Sequence, residues 1–522
     1  MGPEANINSI RALEKQIKEG KGDIIKLKRD RNSLLNISTR VPPEILGDIF
    51  SWNLVRKRRF QGLRKGSYNF LLVCHHWFEV ASNTPELWGF WGNTLQDWKK
   101  CHHRSGAAPL DLVLEEVESN PGVLFDESLR DAIRSRVVQN TIRQVHLSSN
   151  DHDILTSIIS SLTPDGEGGR NENIESILLE TDGFTTLDVS NFFIRSLLPR
   201  LRSLDLYGRI RISSWNRLAP KNTLLTALSL NIDMSPSLPA ITAAQLFSIL
   251  VSNPKLQKLS LSRAAIPNDA DTSTFKAQLP NLYSLTLAGG SRRIFGLLRQ
   301  LVLQEALDDM LLSGSNSTAE DVSQTLAPYM QDYFQRDPRF HGRLGVSFPS
   351  SPGVISISIG VVHTRTTMVA FGSPWVSLRI TTNLTPSDTL DRLFVSLTTL
   401  IPKERVVSFK ASFNAWPPEE VFFVMPYIEV LHLSHLPLSE GFLQPNPHGP
   451  HANRKLFPSL RSLCLEDVVF QNKDDWSHLV TYLAHQTSDG QTISLKVVGN
   501  FPRDCPEIMD GIRSLVKDFT HR

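Results

Sequence analysis

The chain is poor in cysteine, close to charge balance, and without a long apolar run. Four cysteines are scattered over 522 residues, as Cys74, Cys101, Cys464 and Cys505, with no Cys-x-x-Cys pair. That spacing excludes a disulfide-dense scaffold and fits a reducing compartment. A formal net charge of +2, with 21% charged residues, excludes a global field that would draw the protein onto nucleic acid or an anionic membrane. No stretch approaches the roughly 18 apolar residues of a membrane span, and the N-terminal MGPEANINSIRALEKQ lacks the apolar core of a secretion signal. A cytoplasmic or nuclear location is the expectation.

Catalytic and cofactor patterns are missing too. There is no GxxxxGK[ST], no HExxH and no GxSxG. Cys74-His75-His76 and Cys101-His102-His103 are the nearest approach to a metal cluster. Three consecutive helical residues point in different directions, so neither triplet chelates by itself. The glycine-rich Asp165–Arg170 lacks the strand–turn–helix context of a phosphate loop and reads as a surface loop. No catalytic, metal or cofactor residues are assigned, and a non-enzyme is expected.

What the sequence does have begins at Val41–Trp91. VPPEILGDIF places Ile45, Leu46, Ile49 and Phe50 at helical spacing behind Pro42, Pro43 and Glu44, which suit a helix's first turn. NFLLVCHHWF sets Phe70, Leu71, Val73, Cys74, Trp77 and Phe78 on a second apolar helical stripe, closed by Pro85-Glu86-Leu87-Trp88. About 50 residues is little material for a self-sufficient core, so part of this apolar surface awaits a partner. Between the halves lies a basic loop at 56–65, Arg56-Lys57-Arg58-Arg59 and Arg64-Lys65, readable as a solvated loop or as a nuclear signal. Upstream, Ile10, Leu13, Ile17, Ile24, Leu27 and Leu34 form about four faulted heptads. They predict an amphipathic helix within 1–37 that either packs on its own neighbour or pairs two chains through residues 7–35. Residues 93–108 read as a helical linker ending near Arg104, with Ser105-Gly106 as its stop, and Leu110–Val117 as a half-buried strand.

From 109 to 522 a spaced pattern takes over: an apolar residue, two free positions, an apolar residue, one free, an apolar residue. It appears as Ile142/Val145/Leu147, Ile174/Ile177/Leu179, Leu201/Leu204/Leu206, Leu225/Leu228/Leu230, Leu256/Leu259/Leu261 and Leu282/Leu285/Leu287. It returns as Trp375/Leu378/Ile380, Ile428/Leu431/Leu433 and Leu460/Leu463/Leu465, with a blurred copy at Val407/Phe409. Apart from a gap after the copy at 282 and one double step from 375 to 428, consecutive clear copies lie about 24 to 32 residues apart, with helical stretches such as ITAAQLFSILVSN between them. One strand and one helix cannot bury such a face alone, whereas stacked units can. The expected fold is therefore α/β, an irregular leucine-rich-repeat solenoid with a parallel sheet and helices on the convex side. Residues 290–370 read as one or two aberrant repeats, with a helix over Ile294–Leu312 and a strand over Val354–Val362. Ile493–Gly499 reads as the last strand and Ile508–Phe519 as a capping helix.

The stretch VPPEILGDIF…NFLLVCHHWFEVASNTPELWGFW resembles an F-box domain, in the form common in mushroom-forming fungi. Pro42, Glu44, Ile45, Leu46, Ile49, Phe50, Leu72, Val73, Cys74, Trp77, Pro85, Leu87 and Trp88 match its motif; Val41 replaces the usual leucine, and Arg56–Ser67 lengthens the inter-helix loop. The resemblance implies a small all-α F-box at 38–92. It also implies docking to a Skp-type adaptor, and so to a cullin–RING ubiquitin ligase, through Pro42, Pro43, Glu44, Ile45, Leu46, Ile49, Phe50, Leu72, Val73 and Trp77. The repeats would hold a target protein, with Ser203, Asp205, Ser229, Lys258, Ser284, Thr286 and His432 as candidates on the concave face. Two other roles fit the same residues: a repeat scaffold outside the ligase, and a nuclear binder using the basic loop.

Overall fold

The structure is a computed structural model. It describes residues 41–61, 69–91, 104–115, 127–163, 169–181, 185–213, 215, 224–233, 241–268, 275–303, 307–315, 320, 324, 326–336, 344–351, 354–361, 376–381, 401–412, 425–434, 457–468, 470, 473–499 and 506–521, with isolated positions between 15 and 26. The heptad stripe falls largely outside these residues, as do Arg64-Lys65, Cys101–His103 and most of the 93–108 linker. The protein is mixed α/β, and the chain divides into two compact units, Met1–Leu201 and Arg202–Arg522. No helix among the described residues is long and apolar enough to cross a membrane.

In the first unit, helix α1 (Pro43–Gln61) starts at the proline pair, with the amide of Leu46 bonded to the carbonyl of Pro42 at 3.0 Å. It runs on through Arg56–Arg59, which therefore lie in a helix rather than in the expected loop. The second apolar stripe is not one helix. A 3₁₀ turn covers Asn69–Leu72, the chain then extends, and α2 (His75–Ser82) begins afresh. Cys74 is its cap: with extended backbone angles, its Sγ accepts the amide of Trp77 at 3.5 Å. A thiol is a weak acceptor, but it fills the place that Ser or Asp takes at other helix starts. A 3₁₀ turn at Pro85–Trp88 leads into strand β1 (Phe90–Trp91), which pairs in parallel with β2 (Leu110–Glu115). The end of the Val41–Trp91 stretch thus belongs to a sheet. That sheet continues in chain order through β3 (Ile142–Ser148) and β4 (Ser176–Thr181), all parallel, with α3 (Glu127–Val138) and α4 (His152–Leu162) on the intervening crossovers.

The second unit begins with β5 (Ser203–Gly208), β6 (Ala227–Ile232), β7 (Lys258–Arg263), β8 (Ser284–Gly290) and β9 (Asp309–Ser315), parallel and in chain order. The repeated leucines stand opposite one another: Leu204, Leu228, Leu259, Leu285 and Met310 in one line, Leu206, Leu230, Leu261, Leu287 and Leu312 in the next. All are buried. The crossover helix α5 (Ala243–Ser252) starts from a capping box, in which Thr242 and Gln245 satisfy each other's backbone amides. Helix α6 (Ser291–Gln300) packs against β8 and β9.

The expected helix over Ile294–Leu312 stops at Gln300. Leu307, Met310 and Leu312 form instead a further copy of the repeat, on β9. After α7 (Ala327–Arg336) the order inverts. Three strands follow in the chain: β10 (Leu344–Ser351), β11 (Val354–Val361) and β12 (Val376–Thr381). The last of them, β12, joins β9 in parallel; β11 is antiparallel to both β10 and β12. β10 then passes the sheet on to β13 (Val406–Ser412). The region expected to hold one or two aberrant repeats thus carries a further regular copy on β9 and the first two strands, β10 and β11, of a reversed three-strand insertion that β12 completes. The expected Trp375/Leu378/Ile380 copy is out of phase by two residues, since Leu378 stands opposite Leu312 rather than Met310.

Chain order resumes with β14 (Val430–Ser434), β15 (Ser462–Glu466) and, after α8 (Lys473–Thr487), β16 (Ser494–Val498). Helix α9 (Pro506–Leu515) does not end the fold: Phe519, expected in a capping helix, lies in the strand β17 (Asp518–His521), parallel to β16.

Candidate docking and recognition surfaces

Helix α1 has two faces of different character. Leu46, Gly47 and Phe50 are buried, Phe50 against the Trp77 ring at 5.0 Å between centroids. Gly47 lets the helix approach the next turn closely, since a Cβ there would sit 3.2 Å from Thr84 Oγ1. The other face carries Ile45, Ile49 and Trp52, at i, i+4 and i+7, all exposed and Trp52 to 76%. Leu72, exposed to 83%, and Val73 follow on the 3₁₀ turn and the extended link. Pro42, Pro43, Glu44 and Asp48 are also exposed. Of the residues assigned to adaptor docking, Leu46 and Phe50 therefore serve the unit's own core. Trp77 is half-buried, and the others are accessible. Trp52 was not among them, although its place seven residues after Ile45 extends the same stripe.

Trp88 locks the base of this surface. Its Nε1–H donates to the carbonyl of Ala81 at 2.7 Å, and the Arg104 guanidinium lies 4.4 Å over its ring. Arg143 holds Asp111 through two bonds of 3.0 and 2.9 Å, and that forked pairing raises the Arg143 guanidinium above its ordinary value, outweighing the opposing effect of burial.

In the second unit, the residues that alternate with the buried leucines occupy the opposite face of the sheet. The seven candidates fall into two register rows. Ser203, Ala227, Lys258, Ser284 and Asp309 form the shorter one. The longer row runs from Asp205 through Ser229, Ser260, Thr286 and Leu311 to Ser377, Ser358 and Ser347, then on through Lys410, His432, Cys464, Lys496 and Thr520. It crosses the reversed insertion without losing register. Along it Asp205 accepts a bond from Ser203 at 2.8 Å, and Ser229 shares one with Tyr207 at 3.0 Å.

The C-terminal end of that row has the densest chemistry. His432 Nε2 lies 2.8 Å from Glu466 Oε2, and Cys464 is the register neighbour of His432. Burial, helped by Lys410, pulls the His432 imidazole below its ordinary value despite the Glu466 bond. Burial pushes the Cys464 thiol up, although Lys496 and Lys410 oppose it. The pair thus favours a neutral imidazole beside a protonated thiol, the reverse of an activated thiolate. Among the described residues no group of three or more His, Cys, Asp or Glu side chains is placed to hold a metal ion.

No family model matches the chain, and no curated protein matches it.

Proposed function

We propose that this chain is a non-catalytic receptor: the Val41–Trp91 stretch acts as an F-box that docks a Skp-type adaptor, and the repeat sheet presents a target protein to the attached cullin–RING ligase. The observation that carries the reading is the exposed Ile45–Ile49–Trp52 stripe on a helix whose other face is already packed. An apolar row of this kind, continued by Leu72 and Val73, marks a surface normally covered by another protein. The chain's contribution would be proximity, raising the effective concentration of target lysines near the conjugating enzyme.

The test is capture of a purified Skp-type adaptor by the full chain. Ile45→Asp with Ile49→Asp places unpaired charge in the interface without touching the core, and should weaken binding at least about 100-fold with the circular dichroism spectrum unchanged. Failure of the unsubstituted, folded chain to bind the adaptor would overturn the reading. Binding without any effect on the half-life of captured targets would place the protein outside the ligase, as a scaffold.

A further inference from the structure

Where the chain enters β14 to β17, the turns enclose a cavity of about 620 Å³ lined by Glu429, Ser459, Arg461, Gln491, Thr492 and Lys517. Glu429, Arg461 and Lys517 stand immediately before β14, β15 and β17. Their backbones are fixed rung to rung: the Arg461 amide donates to the Glu429 carbonyl at 2.7 Å, and the Lys517 amide to the Ile493 carbonyl at 2.8 Å. Gln491 ties down the turn between them, its Nε2 donating to the Leu460 carbonyl at 2.6 Å. Ser494 completes the lining and opens β16. Leu495 and Val497 of that strand are buried, so the cavity runs onto the opposite face, where Lys496 stands two residues after Ser494. Lys496 belongs to the register row Lys410–His432–Cys464–Lys496 on β13 to β16.

Four cations share this continuous surface, Arg461 and Lys517 in the cavity, Lys496 and Lys410 along the row. None of the four has a carboxylate partner among the described residues. The carboxylates beside them are engaged: Glu466 lies 2.8 Å from His432 Nε2, Asp518 takes the Ser494 hydroxyl at 3.3 Å, and Glu429 has an interaction of its own. Both row lysines act through their charge on His432 and on Cys464, so the two ammoniums converge on one patch. Three strand steps separate the backbones of Lys410 and Lys496, about 14 Å. One small anion does not span the four cations, whereas an extended chain of about five residues does. Three of the four are lysines, compact point charges that each suit one carboxylate rather than the forked phosphate contacts of arginine clusters.

We propose that this end of the sheet binds an acidic segment of the target protein, with one carboxylate in the cavity between Arg461 and Lys517 and further ones laid along the row toward Lys496 and Lys410. The proposal rests on the reading of the repeat sheet as the target-holding surface and gives that target its chemistry: an extended run rich in Asp or Glu. Glu429 and Glu466 set its limits, because each repels an acidic chain that strays from the lysine side.

Fluorescence polarisation on the full chain tests it with labelled oligoglutamate and oligoglutamine peptides of about ten residues, a length that covers the surface. The glutamate peptide should bind saturably and the glutamine peptide should not. Lys496→Gln and Arg461→Gln should each weaken binding about threefold, and the two together about tenfold. Glu466→Gln, which keeps a partner for His432, should tighten it, while Lys258→Gln on β7 leaves it unchanged. Equal binding of the two peptides, or binding unaltered by the double substitution, would overturn the proposal. Displacement of the peptide by an oligonucleotide at lower concentration would overturn it in favour of nucleic acid. Adaptor capture through Ile45 and Ile49 is a separate readout: peptide binding lost with capture retained removes this proposal alone, and capture lost with peptide binding retained removes the docking reading alone.

Discussion

Phe50 and Trp77 meet with their ring centroids 5.0 Å apart and their planes inclined by 58°, joining the inner face of α1 to α2. Ile49, its immediate neighbour in sequence, points to solvent. Phe50→Ala should therefore cost about 3–5 kcal/mol in denaturant unfolding, while Ile49→Ala stays within about 0.5 kcal/mol. Adaptor capture should reverse the ranking, with folded Ile49→Ala impaired.

The two tryptophans beside that contact differ in what their ring nitrogens do. Trp88 Nε1–H bonds the Ala81 carbonyl, whereas Trp77 Nε1 is buried with no hydrogen-bond partner among the described residues. Trp88→Phe should lose about 1–2 kcal/mol. Trp77→Phe removes an unsatisfied donor and should be nearly neutral, a contrast that chemical denaturation reads directly.

Gly89 is required by space, not by backbone angle. Its carbonyl accepts the amide of Asp111 at 2.5 Å, and a Cβ would collide with the Pro109 carbonyl oxygen. Both partners are backbone, so neither yields cheaply. Gly89→Ala should lower stability by roughly 2 kcal/mol or more, seen as a reduced Tm of the first unit.

Arg136 is 1% exposed and donates to the Gly106 carbonyl at 2.5 Å and to Ser105 Oγ at 2.9 Å. Burial lowers its proton affinity from the ordinary guanidinium value, and these bonds fasten the turn in which Gly106 takes a φ of +52°. Arg136→Met keeps the bulk but loses the bonds, and should cost about 2–3 kcal/mol.

His432 gives the second unit an acid-sensitive point. Its folded-state pKa lies below the ordinary 6.5, chiefly through burial. As pH falls, the unfolded chain takes up this proton first, so stability held above about pH 6.5 is lost as pH drops through the folded value. His432→Gln should flatten the decline of Tm between pH 7 and pH 5, while leaving Tm at pH 8 within about two degrees. An unchanged slope would remove His432 as the cause.

The register of the leucines was legible because a strand that stacks on its like must repeat its buried positions. Leu307/Met310/Leu312 has the same spacing and was hidden only by methionine and by the helix running into it. The reversal at β10–β12 left no such trace: alternation in VISISIGVV predicts a strand but carries no direction. At the docking surface, apolar periodicity marks Ile45, Leu46, Ile49 and Phe50 alike. Only packing separates the pair facing Trp77 and the turn from the pair facing solvent. Cys74 looked like a core residue because its neighbours are apolar, whereas its position before a helix start sets its role.

The inverted strand order also sets a timetable for synthesis. Up to β9 every new strand of the second unit finds its neighbour already made, and the sheet grows as the chain emerges. β10 does not: its partners are β11 and β13, and the place beside β9 belongs to β12. The growing edge at β9 must wait for Thr381 to leave the ribosome, on the order of several seconds at ordinary elongation rates. During that interval the leading edge of a nascent sheet stands open, making this the step at which a chaperone or a neighbouring nascent chain has its opportunity to bind.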